Sequence, residues 1–149
     1  MSEQFSSRAL SEQLLVREFS SRLLDLVGIF QTELQNISVV DKTFAGSGYG
    51  LLMEVYGLRT RAYILMNDPG NHIVSSLDFS QHEMLSLIDR VSSLVQSKND
   101  FKSVSSMILS IATFTVSLGE DRAKIVNFLF KMLRDDVAEW EHYFSVSRM

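Results

Sequence analysis

Hydrophobic positions along this chain follow two different periods. From about Ser7 to Ile37, Leu15, Val16, Phe19, Leu23, Leu26, Val27, Phe30, Leu34 and Ile37 recur every three or four residues and predict one long amphipathic helix. The period then changes. Phe44 to Gly50 reads as a flexible, glycine-rich lead-in to three short segments, Tyr49–Tyr56, Arg59–Met66 and His72–Phe79. Gly57-Leu58 separates the first two segments. Asn67-Asp68-Pro69-Gly70-Asn71 separates the last two, and there the fixed φ of Pro69 favours a turn. In the third segment Ile73, Ser75, Leu77 and Phe79 alternate with His72, Val74, Ser76 and Asp78. That alternation predicts a three-stranded antiparallel meander.

After Phe79 the helical period returns and persists. Ser80 with Glu83 three residues on makes a capping box, and Met84, Leu87, Ile88, Val91, Leu94 and Val95 form the stripe behind it. Asn99 or Asp100 caps a second helix. On its wheel Lys102, Ser103, Ser106, Ser110, Thr113 and Ser117 share one arc, while apolar residues fill the rest and only Ser105 and Thr115 intrude. A strand over 104–118 is the competing reading, but the length favours a helix. Gly119 is placed to end it, and a last helix starts near Glu120. Its apolar side is read as Ile125, Val126, Leu129, Met132, Leu133, Val137, Trp140, Tyr143 and Phe144. The expected fold is α+β and mostly helical: a long N-terminal helix, a three-stranded meander and three C-terminal helices. No internal repeat or linker is evident, so residues 1–149 are expected to form a single domain.

The first helix carries a second pattern. Opposite the main stripe, Leu10, Leu14, Leu24 and Gly28 fall on one line, with Arg17 and Ser21 between them. A surface helix needs one apolar side, so a second side points to a partner. A helix of this length also measures roughly 45 Å, more than the diameter of a compact domain of this size. It must bend near Gly28, project, or pack against another subunit. Leu10, Leu14 and Leu24 are therefore the expected partner-binding residues.

Composition removes several classes of function. The chain has no cysteine, which excludes disulfides, thiol nucleophiles, zinc–thiolate sites and iron–sulfur clusters. Net charge is −4 with both signs interspersed, and no basic stripe suits nucleic acid. No apolar run reaches the roughly 20 residues that span a bilayer. The N-terminus also lacks the basic and apolar regions of a signal peptide, so a cytoplasmic protein is expected.

Candidate chemistry is sparse. Glu139-x-x-His142 has the spacing of a di-iron helix ligand pair, but no second copy of that spacing exists in the chain. The glycines of Gly46-Ser47-Gly48-Tyr49-Gly50 precede an expected strand rather than a helix, which does not suit a phosphate loop. No Gly-x-Ser-x-Gly elbow is present. Arg59 and Arg61 would share one face of the second strand, facing solvent and paired with Glu54 across the hairpin. No catalytic residue, metal ligand or cofactor is therefore expected. The reading is a non-catalytic assembly, adaptor or chaperone-like protein that binds a protein partner and self-associates. The alternative is a sensor with an apolar small-molecule pocket between meander and helices.

Overall fold

The computed structural model describes residues 7–40, 44–97 and 100–147, and the side chains within them except those of 44–45 and 144–147. Among the described residues there are five long helices: α1 (Gln13–Val40), α2 (Phe44–Asn67), α3 (Gln81–Ser97), α4 (Phe101–Ser117) and α5 (Ala123–Ser147). Short 3-10 turns cover Pro69–His72 and Glu120–Arg122. Helix α2 packs on α1 and α4, while α3 packs on α1, α4 and α5, so α2 lies at the outside of the bundle.

The expected meander is absent, and the α+β class is corrected to all-α. The segments Tyr49–Tyr56 and Arg59–Met66, with the glycines that seemed to precede and separate them, are one continuous helix, α2. Leu51, Val55, Leu58, Ala62 and Leu65 step by four, three, four and three, and all five are buried. That is a helical stripe, and burying it against α1 and α4 outweighs the intrinsic cost of the glycines, about 1 kcal/mol each. The third segment, His72–Phe79, leaves a 3-10 turn at His72, runs without regular structure to a bend at Asp78–Phe79, and joins no sheet among the described residues. An isolated antiparallel bridge, Arg8 to Ser80, is the nearest approach to one.

The helices read from the C-terminal half are present. Ser80 Oγ accepts from Glu83 N at 3.0 Å and Ser80 N donates to Glu83 Oε1 at 3.2 Å, which completes the capping box of α3. Asp100 Oδ2 accepts from Ser103 N at 3.1 Å and caps α4; Asn99 lies outside the described residues. Helix α5 is rotated from the expected phase. Val126, Phe130, Leu133 and Val137 are buried, whereas Ile125, Met132 and Tyr143 are about half exposed or more. Phe144's side chain lies outside the described residues.

At the centre, Phe79 stacks on Phe130 with ring centroids 3.7 Å apart, and Phe114 meets both rings at an angle. Phe19 of α1 meets Phe114 edge-on at 6.4 Å, so one aromatic cluster joins α1, α4, α5 and the 72–79 segment.

The residues before α1 form a strap. Ala9 N donates to Phe79 O, Val74 N to Leu10 O and Gln81 N to Ser7 O, which ties 7–10 along 74–81. Leu10 holds φ at 60°, a left-handed conformation that a leucine keeps only when its surroundings fix it. The fixing group is buried Gln81. Its Oε1 accepts from Leu10 N at 3.0 Å, and its Nε2 donates to Leu15 O at 2.9 Å and to Glu18.

Candidate interaction face

Helix α2 carries a seven-residue repeat. Tyr49-Gly50-Leu51, Tyr56-Gly57-Leu58 and Tyr63-Ile64-Leu65 recur every seven residues. A seven-residue repeat keeps each position on one side of a helix. Leu51, Leu58 and Leu65 accordingly face the core, and Tyr49, Tyr56 and Tyr63 face outward with exposures of 64, 62 and 49%. Met53 and Ile64, at 72 and 43%, complete the outward side.

From Tyr63 round to Gly50 on the wheel, this side contains no charged residue. Glu54 and Arg61 stand on one flank and Arg59 on the other. An uncharged, aromatic outer face is unusual for a solvated helix, which normally opposes its core stripe with charge. Helix α2 thus carries apolar side chains on two sides, the pattern that the sequence suggested for the first helix.

The expected seam on α1 is dispersed. Leu10 precedes the helix as the last residue of the strap, and its side chain is buried. Leu14 is 72% exposed in the first turn, and Leu24 is half-buried against the core. Of the three, Leu14 alone presents a free apolar surface.

Arg59 and Arg61 do not share a face. Arg59 donates to Gln31 Oε1 on α1, whereas Arg61 Nη2 reaches Leu118 O at a long 3.4 Å near the end of α4. Arg61 Nε is buried without a partner, so this guanidinium is only partly satisfied.

The polar clusters elsewhere are less developed. His82, Ser86, Glu18, Arg22, Gln81 and Asp89 line a shallow groove between α1 and α3. There Arg22 holds Asp89 in a bidentate pair and Gln81 holds Glu18. Glu139 and His142 are exposed near the end of α5, and His72 closes the first 3-10 turn. Among the described residues no group of three or more His, Asp or Glu side chains is placed to hold a metal ion. No single helix among them is long and apolar enough to cross a membrane.

A second groove runs between α4 and α5, lined by Leu109, Thr113, Phe114, Leu129, Met132 and Asp136, with a volume of about 190 Å³. Sites for drug-sized ligands span roughly 300–1,000 Å³, so this groove is too small for one. Partial burial pushes the Asp136 carboxyl up, aided by Glu139 and Asp135 and opposed by a hydrogen bond from Ser110. The folded state therefore binds this proton more tightly than the unfolded chain, and ionisation subtracts from stability as pH rises through the carboxylate range. Asp136→Asn, which keeps an acceptor for Ser110, should gain stability relative to wild type between acid and neutral pH. Thermal melts across that range test the sign, and a gain confined to acid pH would contradict it.

On the opposite side of α5, Arg90 of α3 grips Glu141 through two bonds, one of 3.0 Å, and holds that carboxyl below its usual range. Compared with known proteins, the chain matches no family model, no curated protein and no solved structure.

Proposed function

We propose that this chain is a non-catalytic protein-binding helical domain and that its binding face is the outward side of α2. The carrying observation is the heptad of Tyr49, Tyr56 and Tyr63 with Met53, exposed along a helix face without charge. Tyrosine and methionine supply large, adaptable contact area, and aromatic side chains are enriched at the centres of protein interfaces. A seven-residue spacing fits a helix laid along it better than an extended peptide, whose side chains alternate. The core stripe of α2 is already buried against α1 and α4, so the face is offered on a formed helix.

Tyr56→Glu tests the reading. Tyr56 is at the middle of the face and largely exposed, so the variant should fold with an unchanged circular dichroism spectrum. Affinity capture from the native source with the wild-type chain should recover one protein in stoichiometric amount, this chain itself included. The same capture with Tyr56→Glu should lose it, because burying an unpaired carboxylate is strongly unfavourable. Equal recovery by both forms would move the binding site off α2.

A further inference from the structure

We infer that the occupant of the α2 face is a second copy of this chain, its α2 laid antiparallel about a two-fold axis at Gly57. This rests on the binding face proposed above and adds the identity and register of the partner. Three features of the face point to it.

The first is the glycines. A Cβ placed on Gly50 or on Gly57 would meet nothing within 4 Å in this fold. Alanine would suit an isolated helix better at both positions, so neither glycine is required by packing within the chain. Both lie on the same flank of the tyrosine line, seven residues apart. Missing side chains there let a second backbone approach closely.

The second is shape. In an antiparallel pair with Gly57 against Gly57 of the second copy, Ile64 falls level with Gly50 of the second copy. Ile64, which continues the line of Gly50 and Gly57, then occupies the notch left by a glycine, and it does so twice, once on each side of the axis. A two-fold contact must be self-complementary in this way.

The third is charge. On that same flank Glu54 is exposed, and Arg61 is half-buried with a single long bond, 3.4 Å, from its Nη2 to Leu118 O. Within one helix the two are seven residues apart, about 10 Å along the axis and too far to pair. In the Gly57 register Glu54 lies one residue, or about 1.5 Å, from the level of Arg61 of the second copy. Two symmetric ion pairs would flank the uncharged centre. Arg59, on the other flank, is turned to Gln31 of its own chain. The exposed parts of Tyr49, Met53, Tyr56, Tyr63 and Ile64 amount to on the order of 600 Å². That is below the ~800 Å² per partner of a standard interface, which sets a modest affinity.

The test uses the intact chain. Sedimentation equilibrium from about 1 μM to about 300 μM should show the wild type passing from monomer to dimer. Glu54→Arg and Arg61→Glu should each weaken that dimer about tenfold or more alone, since each sets like charges together. Mixed one to one they should dimerise again, because only the mixed pair restores both opposite-charge contacts. Should Arg61→Glu fail to fold, cross-linking decides. The chain has no cysteine, so Gly57→Cys and Ser47→Cys each introduce a single thiol. A short bismaleimide should join Gly57→Cys chains into dimers and leave Ser47→Cys chains apart, as residues ten positions from the axis lie about 30 Å from their symmetry mates.

A wild type that stays monomeric throughout overturns the inference, as does equal cross-linking at the two positions. A monomeric wild type whose captured partner is lost on Tyr56→Glu would overturn the second copy and leave the binding face standing.

Discussion

Phe130→Ala is expected to lower the unfolding free energy by about 3–5 kcal/mol, while Phe128→Ala, two residues away, stays within about 0.5 kcal/mol of wild type. Phe130 is 3% exposed and stacks on Phe79, with Phe114 against both rings. Removing its ring takes away the transfer free energy of the ring and leaves a cavity where α4, α5 and the 73–79 segment meet. None of those elements can close it without displacing another aromatic ring, so the cost falls in the upper part of the usual range. Phe128 points to solvent at 61% exposure and leaves no cavity. Urea titrations with a common slope measure both. A domain of this size has roughly 5–15 kcal/mol to lose, so the first variant sits near the edge of folding. Equal, small effects would mean that α5 is rotated towards the phase in which Ile125, Leu129 and Met132 face the core.

That phase is where sequence reasoning went astray on α5, and the cause is instructive. The helix carries Ile125, Val126, Phe128, Leu129, Phe130, Met132 and Leu133 within nine residues. Apolar side chains therefore surround it for two turns, and only the neighbours decide which of them are buried. Helix α3 was legible because serine and charge stand opposite its core stripe, and α4 because its stripe of Val104, Met107, Ile108, Ile111 and Phe114 is continuous, although Thr115 and Ser117 are buried with it. Helix α2 failed for the same reason as α5, more severely. Its outward tyrosines, Met53 and Ile64 erase the contrast that reveals a helical period, and Gly46, Gly48, Gly50 and Gly57 imitate turns. The signal was present in Leu51, Val55, Leu58, Ala62 and Leu65, and in tyrosine every seventh residue. A second apolar side was read on the first helix, whereas the structure exposes Tyr49, Met53, Tyr56, Tyr63 and Ile64 along α2. Leu10 could not have been placed from local pattern, because its position depends on Gln81, seventy-one residues away.

That contact sets the other large effect. Gln81 is 1% exposed, and its amide is the meeting point of the strap, α1 and α3. Gln81→Leu keeps much of the volume but leaves Leu10 N buried without an acceptor and removes the donor to Leu15 O and Glu18. Each buried group left unpaired costs about 1–3 kcal/mol, and Leu15 O retains its place in the helix. A total loss of about 2–4 kcal/mol is therefore expected. The loss should be local before it is global. The left-handed φ of Leu10 is then no longer held, so the strap amides Ala9 and Leu10, together with Val74, should exchange hydrogen with solvent well before the amides of α1.

Gln81→Glu separates the hydrogen bonds from the shape. A carboxylate can still accept from Leu10 N, but it sets a negative oxygen against Leu15 O and the carboxylate of Glu18 in a site closed to water. At neutral pH it should destabilise at least as much as leucine. Protonation restores a donor to that side, so the deficit should shrink as pH falls through the raised range expected of a buried carboxyl. Denaturant titrations at neutral and acid pH measure this directly. A Gln81→Glu chain as stable as wild type at neutral pH would show that the strap is held by the backbone bonds of Ala9, Val74 and Gln81 alone. The buried amide would then be a passenger in the fold.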